Sequence, residues 1–158
     1  MDERLLPLEP SAALLGLNND HAVELSLLEP DRFAALVAMA FWARQVGEAD
    51  AFLIAMDQDA AYDSTNFLWL RARYDRFVYI DRVVVADHAR GRGLAQHLYA
   101  NLFTAAAKAG HTRVLCEVNS APPNLASDRF HLAQGFSEIG FAQIYSGKKT
   151  VRYLMRAV

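Results

Sequence analysis

Val83-Val84-Val85-Ala86-Asp87-His88-Ala89-Arg90-Gly91-Arg92-Gly93-Leu94-Ala95 is the stretch on which the reading of this chain turns. A β-branched run feeds a short loop, and two glycines then open a segment with helical spacing at Leu94, Leu98, Leu102 and Ala105-Ala106. Lys108 suits the negative end of that helix and Gly110 is a fitting stop. The first N–H groups of a helix have no intrahelical partner, and the dipole favours an anion beside them. Gly91 and Gly93 remove side chains that would block a close phosphate, and Arg90 and Arg92 add positive charge. The physical reading is a pyrophosphate cradle. A plain solvated basic turn is the bland alternative. A dinucleotide fingerprint, with Glu117 as its acid, is a second. Against it, Gln96 stands where close packing needs Gly or Ala, and only one strand–helix–strand unit is present. An Arg-Gly nucleic-acid segment is a third, opposed by its single short instance and the net charge of −2.

Outward from this turn, Phe77 to Ala86 reads as a strand and Arg113 to Val118 as another, so the two flank the helix and should be parallel. Pro122-Pro123 breaks the chain, Asn124 caps a short helix through Ala133, and Gly135 ends it. Phe136 to Tyr145 and Lys149 to Met155 form a closing hairpin around Ser146-Gly147. Upstream, Ala13 to Leu17 reads as a short apolar strand, stopped by Asn18-Asn19-Asp20. Glu29-Pro30-Asp31 starts a helix whose apolar face holds Phe33, Val37 and Met39-Ala40. Phe41 to Val46 and Ala51 to Met56 pair as a hairpin across Gly47-Glu48-Ala49-Asp50. Asp57 to Asp75 is too long for a plain connection and should carry a short helix near Phe67 to Arg73. The expectation is an α/β chain, one domain over residues 1–158, with a mixed central sheet and flanking helices.

The bulk numbers exclude several classes. With 158 residues, 53% hydrophobic and 22% charged, the composition is that of a folded globular chain with a real core. The charge balance gives no reason to expect nucleic acid or a membrane as partner, and no apolar run reaches the ~18 residues of a spanning helix. Met1-Asp2-Glu3-Arg4 lacks a signal-peptide pattern, and one cysteine, Cys116, fits a reducing compartment, so a cytoplasmic location is expected. Cys116 shares a strand face with Val114 and Val118, which reads as core. Five scattered histidines form no metal-ligand spacing, so no metal is expected.

Arg90-Gly91-Arg92-Gly93-Leu94-Ala95 resembles the R/Q-x-x-G-x-G/A signature of the GNAT acetyltransferase superfamily. Downstream, Asn124-Leu125-Ala126-Ser127-Asp128-Arg129-Phe130-His131-Leu132-Ala133-Gln134-Gly135-Phe136 resembles that family's N-x-x-A-x-x-F-Y-x-x-x-G-F stretch. Ser127 stands where Ala is usual, and His131 where Tyr is usual. The order of elements is similar over most of the chain. The resemblance implies acetyl-CoA as donor, lying where two parallel strands splay apart. It implies that the backbone of Val83, Val84 and Val85 meets the pantetheine arm and that the amides of Arg90 through Ala95 hold the pyrophosphate. Asn124 and Ser127 would complete the cofactor wall, and a backbone N–H at Val84 or Val85 would face the oxyanion.

Acetyl transfer to an amine needs a neutral nucleophile and a protonated leaving thiolate. By the resemblance, His131 occupies the acid's place, with Asp128 or Ser127 on the same helix to orient it. Asp81 and Glu117 are the candidate bases; Asp81 shares a strand face with Val83 and Val85, and Glu117 with Leu115 and Asn119. Arg82 or Arg113 would instead make either acid a paired structural carboxylate. Asp57, Asp59, Tyr62 and Asn66 lie on a polar loop placed to bind a cationic acceptor. A small-molecule amine is the expected substrate. Protein acetylation, a non-catalytic acyl-CoA-binding module and a dinucleotide oxidoreductase stand as alternatives. The apolar closing hairpin leaves room for a homodimer.

Overall fold

The computed structural model describes residues 3–21, 25, 27–121 and 123–158. Met1, Asp2 and Pro122, which enter the readings above, lie outside them. The described residues form one seven-stranded sheet in the order β1-β2-β3-β4-β5-β7-β6. Its strands are β1 (Leu5–Pro7), β2 (Trp42–Val46), β3 (Ala51–Asp57), β4 (Val78–Val85), β5 (Arg113–Ala121), β6 (Ser137–Ile144) and β7 (Lys149–Ala157). The helices are α1 (Ala12–Asp20), α2 (Pro30–Met39), α3 (Thr65–Arg71), α4 (Leu94–Lys108) and α5 (Leu125–Ala133). Among them, none is long and apolar enough to cross a membrane.

The β2–β3 and β6–β7 hairpins form as the sequence predicts. So does the parallel pairing of β4 with β5, but among the described residues that ladder joins only Val78 to Val114 and Tyr79 to Leu115. Beyond these pairs the two strands part. On its other side β4 pairs antiparallel with β3, with an irregularity: Ile54 faces Arg82 and the next residue, Ala55, faces Ile80. Asp81 is the extra residue of a bulge, which bends the strand and breaks simple alternation.

The expected strand at Ala13 to Leu17 is instead part of α1. Ser11 caps it by accepting from the Leu14 N–H at 3.2 Å, and Leu14, Leu17 and Asn18 bury one face at helical spacing. A five-residue apolar run cannot distinguish a strand from a buried helical turn. Asn18 is not a turn residue either: it is fully buried at the end of α1. The short helix in the long polar stretch begins two residues earlier than expected, because Ser64 caps it at the Phe67 N–H. Phe67 and Leu70 bury it, and Ala60 and Tyr62 are also buried, so this stretch is a packed segment.

The core lies on both faces of β3 and β4. Phe52, Leu53, Ile54 and Met56 are inaccessible, and α4 covers one face through Leu94, Leu98, Tyr99, Leu102, Phe103 and Ala106. Each fully buried Leu or Phe contributes about 1.5–3 kcal/mol of transfer free energy, so the centre of the sheet is a rigid platform for its parted edge.

Candidate active site

Where β4 and β5 separate, a cavity of about 470 Å³ opens. Its walls include Val83, Val84 and Val85 of β4, Glu117 of β5, and Asn124, Ser127 and His131 at α5. Arg90 and Ala95 reach it from the glycine turn, and Tyr99 from α4.

The turn is built for backbone contact. Gly91 and Gly93 have φ of 81° and 73°, the left-handed region in which a side chain is strained. A Cβ at either would meet nothing within 4 Å, so the space above them is open. Gly93 caps α4 and no side chain bonds to the helix start, leaving its first-turn amides free of a side-chain cap. Arg90 is exposed at the cavity and close to Asp87 at 3.2 Å. Arg92 turns the other way. Its Nη1 lies 3.1 Å from Asp50 Oδ2, while His88 Nε2 lies 3.0 Å from Asp50 Oδ1. The Ala86 N–H donates to the Asp50 carbonyl at 2.8 Å. The hairpin turn at Asp50 thus pins the loop, and these bonds hold the Asp50 carboxyl below its usual pKa. Arg92 fixes the loop; Arg90 is the charge left facing the cavity.

The two carboxylates differ in kind. Asp81 has both oxygens taken: Tyr62 Oη donates to one at 2.6 Å and Arg82 Nε to the other at 2.7 Å. Arg82 Nη1 donates in turn to Asn18 Oδ1 at 2.9 Å. The bulge explains how adjacent residues on a strand come to pair. Both side chains are about 5% exposed (Arg82 5%, Asp81 4%), so this is a buried structural pair. Asp81→Ala would leave the guanidinium buried without its counter-charge. Chemical denaturation should show a loss of about 3–5 kcal/mol, whereas a change under 1 kcal/mol would mean the pair is not structural.

Glu117 lies at the cavity wall, where Tyr79 Oη donates to its Oε2 at 2.7 Å. Burial pushes its carboxyl up to about 8, with nearby Asp81 adding to the rise and the Tyr79 bond opposing it. A carboxyl that ionises near neutral pH at a cavity wall suits proton removal.

On α5, Asn124 caps the helix by accepting from the Ser127 N–H at 3.2 Å. His131 is buried, with Nδ1 2.8 Å from the Ser127 carbonyl and Nε2 2.9 Å from Tyr99 Oη. Asp128 does not orient the ring; it is held by Arg152. Burial keeps the imidazole below its usual pKa, against the Ser127 carbonyl and Asp128, which favour the charged form.

The model of the Acetyltransferase (GNAT) family matches residues 27–136. The chain belongs to the GNAT family. No curated protein is a significant match. Solved GNAT-like structures share the fold at low identity. Naa20 of Chaetomium thermophilum, solved with a bisubstrate analogue, has a TM-score of 0.76 at 16% identity, covering 100% of this chain and 87% of that one. Ard1 of Thermoplasma volcanium has 0.75 at 13%, covering 100% and 99%. The yncA protein of Salmonella typhimurium, solved with its cofactor acetyl-CoA, has 0.71 at 18%, covering 99% and 94%.

Within this GNAT chain the expected cofactor residues divide. Val83, Val84, Val85, Arg90, Ala95, Asn124 and Ser127 line the cavity; Gly91 and Gly93 lie in the turn between Arg90 and Ala95 with positive φ; Leu94 is buried in the core and Arg92 is tied to Asp50. Of the expected catalytic groups, Glu117, Asp81 and His131 all line it. Of the expected acceptor residues, none does. Tyr62 holds Asp81, Asn66 Oδ1 accepts from Tyr153 Oη at 2.9 Å, and Asp57 Oδ1 accepts from the Asp59 N–H at 2.9 Å. Asp57 pairs with Val78, at the joined end of β4 and β5, away from the parted end. The sequence reading missed Tyr79, Tyr99 and Asp50. Only Tyr99 carried a signal, since it falls one residue after Leu98 on the apolar face of α4.

Proposed function

We propose that this chain transfers acetyl from acetyl-CoA to the amine of a small molecule. The observation that carries the reading is the open, uncapped start of α4 beside the parted strands, with Glu117 on the same cavity. The amides of residues 93–95, the open space over Gly91 and Gly93, and Arg90 suit a pyrophosphate. Acetyl-CoA supplies an activated acyl group on a thiol leaving group. Val83 to Val85 would line the donor arm, and Asn124 and Ser127 the opposite wall.

Glu117, not Asp81, is the base in this reading. It accepts a proton from the acceptor's ammonium form, directly or through water, and Lys149 lies at the same cavity. Asp81 keeps Arg82 and Tyr62 in place behind it. A cavity of about 470 Å³ lies within the usual range of small-molecule pockets, and its carboxyl and phenol walls favour a compact amine.

Calorimetric titration with acetyl-CoA, with NADH as control, followed by an amine and peptide panel, tests this. Micromolar binding of acetyl-CoA alone and turnover of small amines is the expected result. NADH binding would overturn the donor assignment, turnover of peptides alone the acceptor class, and binding without turnover the enzymatic reading.

A further inference from the structure

Tyr99 and His131 come from different helices, α4 and α5, and meet at the cavity wall. The Ser127 carbonyl can only accept, so His131 Nδ1 carries a proton. In the neutral ring Nε2 is therefore bare, and it accepts from Tyr99 Oη at 2.9 Å. Phe130 and Phe136 stand edge-on to the imidazole, with centroids 5.3 Å away in each case, and fix its plane. Both ring nitrogens are thus occupied within the protein, and His131 has no hydrogen left to offer a ligand. The Tyr99 oxygen, in contrast, donates one bond and keeps a lone pair for the cavity.

From this geometry we infer that Tyr99 and His131 form a two-residue proton relay for acyl transfer, with the Tyr99 hydroxyl at the reacting atoms and His131 behind it as the proton store. The inference rests on the acetyl-transfer reading above. Glu117 removes the first proton, making the amine neutral. When the amine nitrogen bonds to the acetyl carbon it holds one surplus proton. That proton passes to Tyr99 Oη as the Tyr99 proton passes to His131 Nε2, leaving an imidazolium. When the carbon–sulfur bond breaks, its electron pair goes to sulfur. Nε2–H then returns a proton to Tyr99 Oη, and the Tyr99 proton goes to the sulfur. One proton has moved from nitrogen to sulfur, and both residues end as they began. Burial of His131 keeps its ring neutral and ready to receive.

The test reads the thiol of bound CoA, with no acceptor present. Thiolate absorbance is titrated on complexes of CoA with the wild-type protein and with Tyr99→Phe, and calorimetry supplies the affinities. Tyr99→Phe should raise the pKa of the bound thiol by about one unit, a tenfold weaker acid, while affinity at neutral pH stays within about twofold of wild type. Transfer to an amine should slow by about a hundredfold. Equal thiol pKa values in the two proteins overturn the relay even though CoA binds. Absence of CoA binding to the wild type overturns the donor site, and the relay with it. Nitrogen NMR of His131 in the wild-type protein gives a check independent of the variant's folding: Nδ1–H is expected, and an Nε2–H tautomer would overturn the relay.

Discussion

Gly93→Glu should abolish acetyl-CoA binding in the calorimeter while leaving the chain folded. A Cβ at this position meets nothing within 4 Å, so the new side chain has room. Its cost to the fold is backbone strain at φ 73°, about 1–2 kcal/mol. Its effect on binding is larger. A carboxylate at the start of α4 occupies the anion site, satisfies the free amides itself and repels phosphate. The expected loss is at least a hundredfold, about 2.7 kcal/mol. Gly93→Ala carries the same strain without the charge and should lose about tenfold or less. If Gly93→Glu kept wild-type affinity, the cradle would lie elsewhere.

Glu117→Gln removes the base and should lower kcat/KM by about 10²–10⁴. The pH profile identifies the cause. With an acceptor whose own pKa lies well above 9, so that it stays an ammonium ion between pH 6 and 9, wild-type kcat/KM should rise through about 8, the value to which burial pushes this carboxyl, and then level off. In Glu117→Gln that limb should vanish. Stability moves the other way. The native carboxyl titrates near 8 against an ordinary 4.5, so between these values the native state holds more proton than the unfolded state. Ionisation of Glu117 therefore weakens the fold as pH rises through that window. Glu117→Gln has no such loss, and its denaturation midpoint should exceed that of the wild type at pH 8.5 and approach it at pH 5. An unchanged pH–rate profile would take Glu117 out of the proton path.

Both variants probe residues that local sequence reading found. The glycine turn, the helix after it and the Asn124 cap are signals written within a few residues, because strand, turn and helix start each have local chemistry. The apolar run at Ala13 to Leu17 was too short to show its period, and the Ser11 cap that decides it for helix stood just outside the run. The partners of the site residues were not legible for a different reason. Tyr99 and His131 are 32 residues apart, Tyr79 and Glu117 are 38, and Arg82 and Asn18 are 64. Such pairs depend on which helix crosses which strand, and on a bulge at Asp81 that no residue type announces. Period-two alternation gave Asp81 and Glu117 a strand face each, and both line the cavity, but it could not show the bulge at Asp81 or tell a paired carboxylate from a poised one.

The two-pair ladder between β4 and β5 makes the sheet a pair of leaves, four strands and three, joined at a narrow waist. Past Tyr79 each leaf turns a backbone edge toward the other across the cavity, and among the described residues no further ladder pair joins those edges. A guest lodged between them acts as mortar. Any molecule that binds the folded leaves raises the unfolding free energy by an amount set by its concentration, about 2.7 kcal/mol at a hundred times its dissociation constant. The endurance of this protein to heat or proteolysis is thereby tied to the supply of its own donor, so the chain should be longest-lived where acyl donor is abundant and soonest cleared where it is scarce.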